Sequence, residues 1–310
     1  MYKLFFMFFF LTCSKGSQPD PTEKLGEKMQ EFIVELSVYA KLQSPQFIII
    51  PQNGIELAFT HLDPTNEFNI DFLNAIDGFG VEELFFNSNY QPDIYRLEML
   101  RKLKAEKTIM VSEYITHNDS ISTAIAKNHQ EGFLCFPRDS SNYNYTKIPL
   151  SISNTNPNNI SYLSEAQNYL YLINPEKFSD KIEMIDSIAQ TNYDLILIDL
   201  FVFGEELLAS DIEQLKTKPN GAKRLVIAYI NIGAVETYRY YWQDEWKLGS
   251  PHWIVKEYEG YPNEYYINFW EQEWKDIIYG NDNSYLKKII DAKFDGAYLD
   301  NTEAYYFLNN

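Results

Sequence analysis

The sequence predicts an α/β fold built on a parallel sheet, closed as a (β/α)8 TIM barrel in a single domain. Three observations carry this expectation. Short strands that are apolar along their whole length alternate with amphipathic helices, the pattern of a parallel sheet covered on both faces. About eight such units follow one another, which favours a closed barrel over an open doubly wound sheet. No GxGxxG or GxxxxGKS/T follows any strand, so nucleotide-binding versions lose support.

Apolar residues at Met29, Phe32, Ile33, Leu36 and Tyr39 make Gly26–Leu42 a helix by its i, i+3, i+4, i+7 stripe. QFIIIPQNG (46–54) is a β-branched strand, and a helix over 66–76 precedes the strand GFGVEELFF (78–86). Pro92 suits the first turn of the helix PDIYRLEMLRKLKAE. TIMVSEYIT (108–116) is a strand and 120–131 a helix, while GFLCFP (132–137) is extended without a clear place. Residues 138–165, rich in Ser, Asn, Tyr and Pro, read as a linker or long loop. Five strands are expected after it: NYLYLIN (168–174), LILIDLF (195–201), LVIAYINIG (225–233), YYINFW (265–270) and FDGAYLDN (294–301). Three precede it, or four with GFLCFP.

The first residues read as a targeting segment. MYKLFFMFFFL has one lysine and then an apolar run too short to span a bilayer, and Cys13 follows almost at once. This arrangement predicts a lipoprotein-type signal over 1–12, lipidation of Cys13, a tether over 13–24 and a folded domain over 25–310. A cell-envelope location, membrane-anchored or exported, follows. With Cys13 acylated, Cys135 is expected to be a buried small hydrophobe.

Hydrophobic residues make up 45% of the chain, enough for a sizeable core, so it is not a disordered chain. The net charge of −18 argues against sequence-independent nucleic-acid binding and against docking to anionic membranes through basic residues. His61, His117, His129 and His252 form no HxH or HExxH pair, so no histidine-built metal site, and no cofactor, is expected. The predicted strand C-terminal ends carry Gln52, Asn53, Glu82, Glu83, Glu113, Tyr114, Asn174, Asp199, 231–236, Asp300 and Asn301. That set is acidic and amide-rich, without a nucleophilic Ser/His/Asp constellation, and has the character of a carbohydrate site.

AYINIGAVETYRYYW (228–242), PHW (251–253), YYINFWEQEW (265–274) and FDGAYLDNTEAY (294–305) resemble glycoside hydrolase family 114, the endo-α-1,4-polygalactosaminidases and their barrel relatives. IIPQNGIEL (49–57), AIDGFGVEELFF (75–86) and IMVSEYI (109–115) resemble it too, but in the family they lie downstream of the YLD-type strand. The resemblance therefore implies a circular permutation, with family strands 6–8 first and 1–5 after the linker. The helix 26–42 would supply the one that should follow the YLD strand.

The resemblance implies that Asp300 is the catalytic nucleophile or general base and Glu82 the general acid, because glycoside hydrolysis commonly uses two carboxyl groups. Glu83 competes locally, since strand alternation would put one of the two inside and the other outside. Asp295, before Gly296, is expected to cap a turn, and Asp199 either binds substrate hydroxyls or orients a neighbour. Glu236 and Arg239 match a G-x-x-E-x-x-R element and could pair as a salt bridge; where the family usually has Glu after that Gly, this chain has Ala234. Gln52, Asn53, Asn301, Tyr229, Glu113 and Tyr114 are candidate sugar contacts. Trp242, Trp253, Trp270 and Trp274 could stack on sugars, with Trp242 the chosen candidate and core packing the more common fate.

The leading expectation is a monomeric, cofactor-independent glycoside hydrolase acting on an amino-sugar-containing glycan. The alternative is a non-catalytic envelope barrel that binds glycan or protein through a degenerate site. An enzyme for another sugar linkage or an ester is disfavoured by the lack of an activated nucleophile.

Overall fold

A computed structural model describes residues 20–309. The expected signal segment 1–12, Cys13 and most of the tether lie outside them. The chain begins with helix α1 (Pro21–Gln43), then β1 (Ile48–Pro51), α2 (Ile70–Ala75), β2 (Gly78–Tyr90) and α3 (Ile94–Leu103). Strand β3 (Thr108–Ile115), α4 (Ile121–Glu131) and β4 (Leu134–Asp139) complete the first half. The second half has β5 (Tyr169–Tyr171), α5 (Lys181–Ala189), β6 (Leu195–Asp199), a hairpin β7 (Phe201–Val202) and β8 (Glu205–Glu206), and α6 (Ala209–Leu215). It continues with β9 (Leu225–Asn231), β10 (Ala234–Glu236), β11 (Ile254–Glu257), β12 (Glu264–Ile267), α7 (Gln272–Ile278), α8 (Tyr285–Asp291), β13 (Gly296–Asp300) and α9 (Ala304–Phe307).

The fold is α/β with parallel sheets. One runs in the order β1-β13-β9-β6-β5, the other β2-β3-β4, and every pair within them is parallel. They meet where Gln52 bridges to Gly80, with Asn53 N–H donating to the Gly80 carbonyl at 2.9 Å. At the opposite edges Phe136 of β4 packs its ring 5.7 Å from Tyr169 and 6.3 Å from Tyr171 of β5. The strands are apolar because both faces are covered: β6 and β9 are buried at every position.

One strand left open finds its place, and one strand expectation is corrected. GFLCFP joins the parallel sheet as β4, in register with β3 (Val111 opposite Cys135). YYINFW instead pairs antiparallel as β12, between β10 and β11, in a small sheet above the strand ends. The parallel strands thus divide four and four about the connecting segment, not three and five.

Helix α1 begins earlier than its apolar stripe suggested. Asp20 caps it by accepting from Thr22 N–H at 2.9 Å, and Pro21 fits the first turn. Residues 21–24 are therefore helix and not tether. Its buried stripe, Met29, Phe32, Ile33, Leu36 and Ala40, packs between α2 and the α8–α9 region, so α1 covers the β13–β1 boundary. Asp93, not Pro92, opens α3, accepting from Arg96 N–H at 3.0 Å.

The segment between β4 and β5 has no long element but is anchored. Lys218 Nζ, fully buried, donates to the carbonyls of Asn156 (2.8 Å) and Asn158 (2.9 Å) and to Asp194 Oδ1 (2.8 Å). At the strand N-terminal ends Asp295 accepts from Val226 N–H and Lys216 Nζ, a structural role in place of the turn cap expected for it. Cys135 is free and buried, as expected. No helix among the described residues is long and apolar enough to cross a membrane.

Candidate active site

A cleft of about 1140 Å³ opens at the C-terminal ends of the parallel strands. Eight carboxyl side chains line it against three guanidinium groups, Arg96, Arg138 and Arg239. Glu82, from β2, and Asp300, the last residue of β13, sit on its floor. They share one donor: Gln52 Nε2 lies 2.8 Å from Asp300 Oδ1 and 3.1 Å from Glu82 Oε2. These two oxygens can be no farther apart than the sum of those distances, 5.9 Å. Two hydrogens of one amide at 120° would set them about 5 Å apart. The orientation of the Gln52 amide is fixed, because Tyr171 O–H donates to its Oε1 at 3.0 Å and a flip would face oxygen to two carboxylates.

Asp300 is saturated with donors. Besides Gln52, Asn301 N–H reaches Oδ1 at 2.8 Å and Tyr229 O–H reaches Oδ2 at 2.5 Å. Asp300 is Tyr229's only hydrogen-bond partner among the described residues, so the phenol favours an ionised carboxylate there. Burial, with the charge of Glu82 added, opposes this and pushes Asp300 up to about 7. The two carboxyls thus resist carrying two charges until the pH nears neutrality. Glu82 Oε1 accepts from Tyr145 O–H at 2.5 Å.

The backbone explains why both Glu82 and Glu83 reach the cleft. Glu83 has φ 56°, which breaks strand alternation, and the β2–β3 register shifts after Glu82. Arg96 holds the turn by donating to the carbonyls of Glu82 (2.8 Å) and Glu83 (2.7 Å), and Arg138 Nη2 pairs with Glu83 at 2.6 Å. Asn53 (φ 59°) and Asn301 (φ 58°) end their strands in the left-handed region, which asparagine tolerates well. Asn53 Oδ1 then accepts from Glu82 N–H, and Asn301 Oδ1 from Tyr258 O–H.

Toward β6 lies an ionic cluster. Arg239 donates to Asp199 Oδ1 (2.8 Å), Glu236 Oε2 (2.6 Å) and Tyr285 Oη (2.9 Å). The expected Glu236–Arg239 pair is therefore present, and Asp199 orients Arg239. Burial raises Asp199 despite that cation.

Of the residues singled out in the sequence, Gln52, Asn53, Glu82, Asp199, Tyr229, Glu236, Arg239, Asp300 and Asn301 line the cleft. Glu113, Tyr114 and Trp242 do not. Glu113 is wholly buried and accepts from Phe85 N–H, Phe86 N–H and Asn128 Nδ2, an internal staple on β2. Tyr114 packs edge-on against Tyr143. Trp242 stacks on Tyr265 and meets Trp246 edge-on. Trp253 and Trp274 are core, and Trp270 lies under Lys28. The cleft's aromatics are tyrosines and phenylalanines where tryptophan was expected, among them Tyr145, Tyr171, Tyr238, Tyr258 and Tyr261. Glu264 and Glu303, both raised to about 8 chiefly by burial, were also missed. The acidic residue two positions beyond Asn301 was the available signal for Glu303.

A parallel α/β scaffold with two carboxyls bridged at the floor of an acidic cleft defines the class of site that carbohydrate-active proteins use. Residues 162–310, just under half of the chain, match glycoside-hydrolase family GH114, a family of TIM barrels. Similar curated proteins are uncharacterised: one from Thermotoga maritima is 31% identical over 140 residues, covering 45% of this chain and 40% of its own length. One from Methanocaldococcus jannaschii is 40% identical over 126 residues, 40% of this chain and 34% of its own. One from Deinococcus radiodurans is 38% identical over 82 residues, 26% of this chain and 25% of its own. The matched stretch thus spans well under half of each of these relatives.

Proposed function

We propose that the protein is a retaining glycoside hydrolase acting on an amino-sugar-containing glycan of the endo-α-1,4-polygalactosaminidase type. Glu82 is the general acid and Asp300 the nucleophile. The observation that carries this reading is the Gln52 amide held between Asp300 and Glu82. A spacing of about 5 Å is the separation of retaining enzymes, where one carboxylate attacks the sugar and the other protonates the leaving oxygen. Asp300 is set up to attack, since every donor around it favours the anion. The excess of carboxyl over guanidinium groups in the cleft favours a cationic substrate such as a deacetylated amino-sugar polymer.

The reading includes a (β/α)8 barrel that closes through Phe136 and the β5 tyrosines, in circularly permuted order. Three facts support the permutation: the family match starts at residue 162, near the end of the connecting segment; the parallel strands divide four and four about that segment; and α1 covers the β13–β1 boundary. The order is then family strands 5–8 followed by 1–4.

The test is hydrolysis of an α-1,4-linked galactosamine polymer, with Asp300→Asn and Glu82→Gln as variants. Each should lose roughly a thousandfold or more in kcat while still binding the polymer. Full activity in either variant would refute the assignment. Binding without hydrolysis by the unaltered protein would favour the non-catalytic glycan-binding reading.

A further inference from the structure

The connecting segment between β4 and β5 places a residue against the proposed acid. Tyr145 is buried, and its backbone has φ 55°, unusual for a residue with a bulky side chain. The surrounding turn enforces that conformation: Asn142 Oδ1 accepts from Thr146 N–H and Lys147 N–H, both at 2.8 Å, and Tyr145 N–H donates to the Asn142 carbonyl at 3.0 Å. The ring stacks on Tyr171 with centroids 3.8 Å apart, and the Arg138 guanidinium sits 4.7 Å from the Tyr145 ring centroid. Its hydroxyl has two neighbours, Glu82 Oε1 at 2.5 Å and Ser112 Oγ at 2.9 Å.

We propose that Tyr145 is a positioning residue for Glu82, holding Oε1 as a hydrogen-bond acceptor so that the transferable proton resides on Oε2, the oxygen facing Gln52 and Asp300. This inference rests on the reading of Glu82 as general acid. The phenol is a lasting donor, because burial and the Glu82 charge keep its own proton well above the ordinary tyrosine range. Ser112 O–H can donate to the Tyr145 oxygen while Tyr145 donates to Glu82, a chain in which each bond polarises the next. When Glu82 gives the Oε2 proton to the leaving oxygen, the new negative charge is met at Oε1 by a donor already in place. No reorganisation is needed at that moment. The charged groups around Glu82 are Asp300 from β13, Glu303 beyond it, Glu83 beside it, Arg138 from β4 and Arg96 from α3. Arg138 is engaged mainly by Glu83, at 2.6 Å against 3.9 Å to Glu82, so it does not replace the phenol.

Tyr145→Phe keeps the ring, its stacking on Tyr171 and the turn, and removes only the hydroxyl. Two measurements decide the matter. In hydrolysis of the α-1,4-galactosamine polymer, kcat should fall about tenfold or more with KM within about twofold, and the alkaline limb of kcat should move to higher pH. Ser112→Ala should show a smaller change of the same sign. Without any substrate, the side-chain carboxyl carbon of Glu82, followed by NMR against pH, should titrate at higher pH in Tyr145→Phe than in the unaltered protein, because its anion has lost a donor. An unchanged Glu82 titration overturns the proposal whether or not hydrolysis is found. A matching rise in KM and fall in melting temperature, with the pH limb unmoved, also overturns it in favour of a packing role. Absence of hydrolysis in the unaltered protein counts against the glycosidase reading alone, since the titration still decides the role of Tyr145.

Discussion

Glu236 and Glu264 face each other directly across the antiparallel β10–β12 pair. Like charges in that position oppose strand pairing. The two are relieved differently. Glu236 is bound by Arg239 and Tyr238, whereas Glu264 has no hydrogen-bond or ion-pair partner for its carboxyl among the described residues. Burial, then Glu236 and Asp300, push Glu264 up to about 8.

A stability prediction follows from that shift. A folded-state value above the unfolded one means that the native protein holds the proton more tightly. The stabilisation is complete below the unfolded value near 4.5 and is lost as pH rises through about 8. Glu264→Gln mimics the protonated form at every pH. Its melting temperature should equal that of the unaltered protein near pH 4.5 and exceed it by about 3 °C or more at pH 8. Thermal melts across that range check this, and a constant offset would contradict it.

Arg239 supports a second prediction. It neutralises two buried carboxylates, and removing one partner of a buried ionic cluster leaves uncompensated charge. Arg239→Met should lower stability by about 3–5 kcal/mol at pH 7. The loss should shrink at acidic pH, where Asp199, raised by burial, can take up a proton. Urea unfolding at the two pH values measures both effects.

The parts of this molecule legible in sequence are those whose chemistry is local. Apolar strands, alternating helices and the pairing of Asp300 with Glu82 were readable from pattern and family motif. GFLCFP has no clear place in the sequence and YYINFW reads as a parallel strand because two short apolar runs look alike, and only their surroundings separate them. Gly132, which ends α4 at φ 82° immediately before β4, was a usable sign of a helix-to-parallel-strand connection. Glu113 misled for a different reason. An acid at a strand end normally faces the barrel mouth, but here the bend at Glu83 leaves backbone N–H groups that need an internal acceptor. Tyr145 lies in a polar loop whose sequence gives no periodic signal, and only the fold carries it to Glu82.

The pH dependence of activity provides a third prediction. Asp300 is raised from 3.8 to about 7 by burial and by Glu82, so below neutrality it holds a proton that a nucleophile must shed. The polymer-hydrolysis rate should therefore fall as pH drops below about 7, and Asp300→Asn should abolish the activity while raising stability at pH 8. A rate as high at pH 5 as at pH 7 would mean that Asp300 need not be ionised to act.

Lys218 connects the far end of the connecting segment to the proposed chemistry. Its ammonium is fully buried and satisfies two backbone carbonyls, those of Asn156 and Asn158, together with Asp194. Asp194 in turn accepts from Asn156 Nδ2 and Gln167 N–H, so a single knot fixes both the segment and the start of β5. Lys218→Met fills much of the same volume but strands a buried carboxylate and two carbonyls, which should cost about 3–5 kcal/mol. Because the same segment carries Tyr145, its loosening should reach the cleft. Hydrogen exchange at 156–168 should quicken first, and kcat should fall with it. A variant that unfolds at the same urea concentration as the unaltered protein would show that the segment is held elsewhere, by the Asn142 turn and the Tyr145–Tyr171 stack.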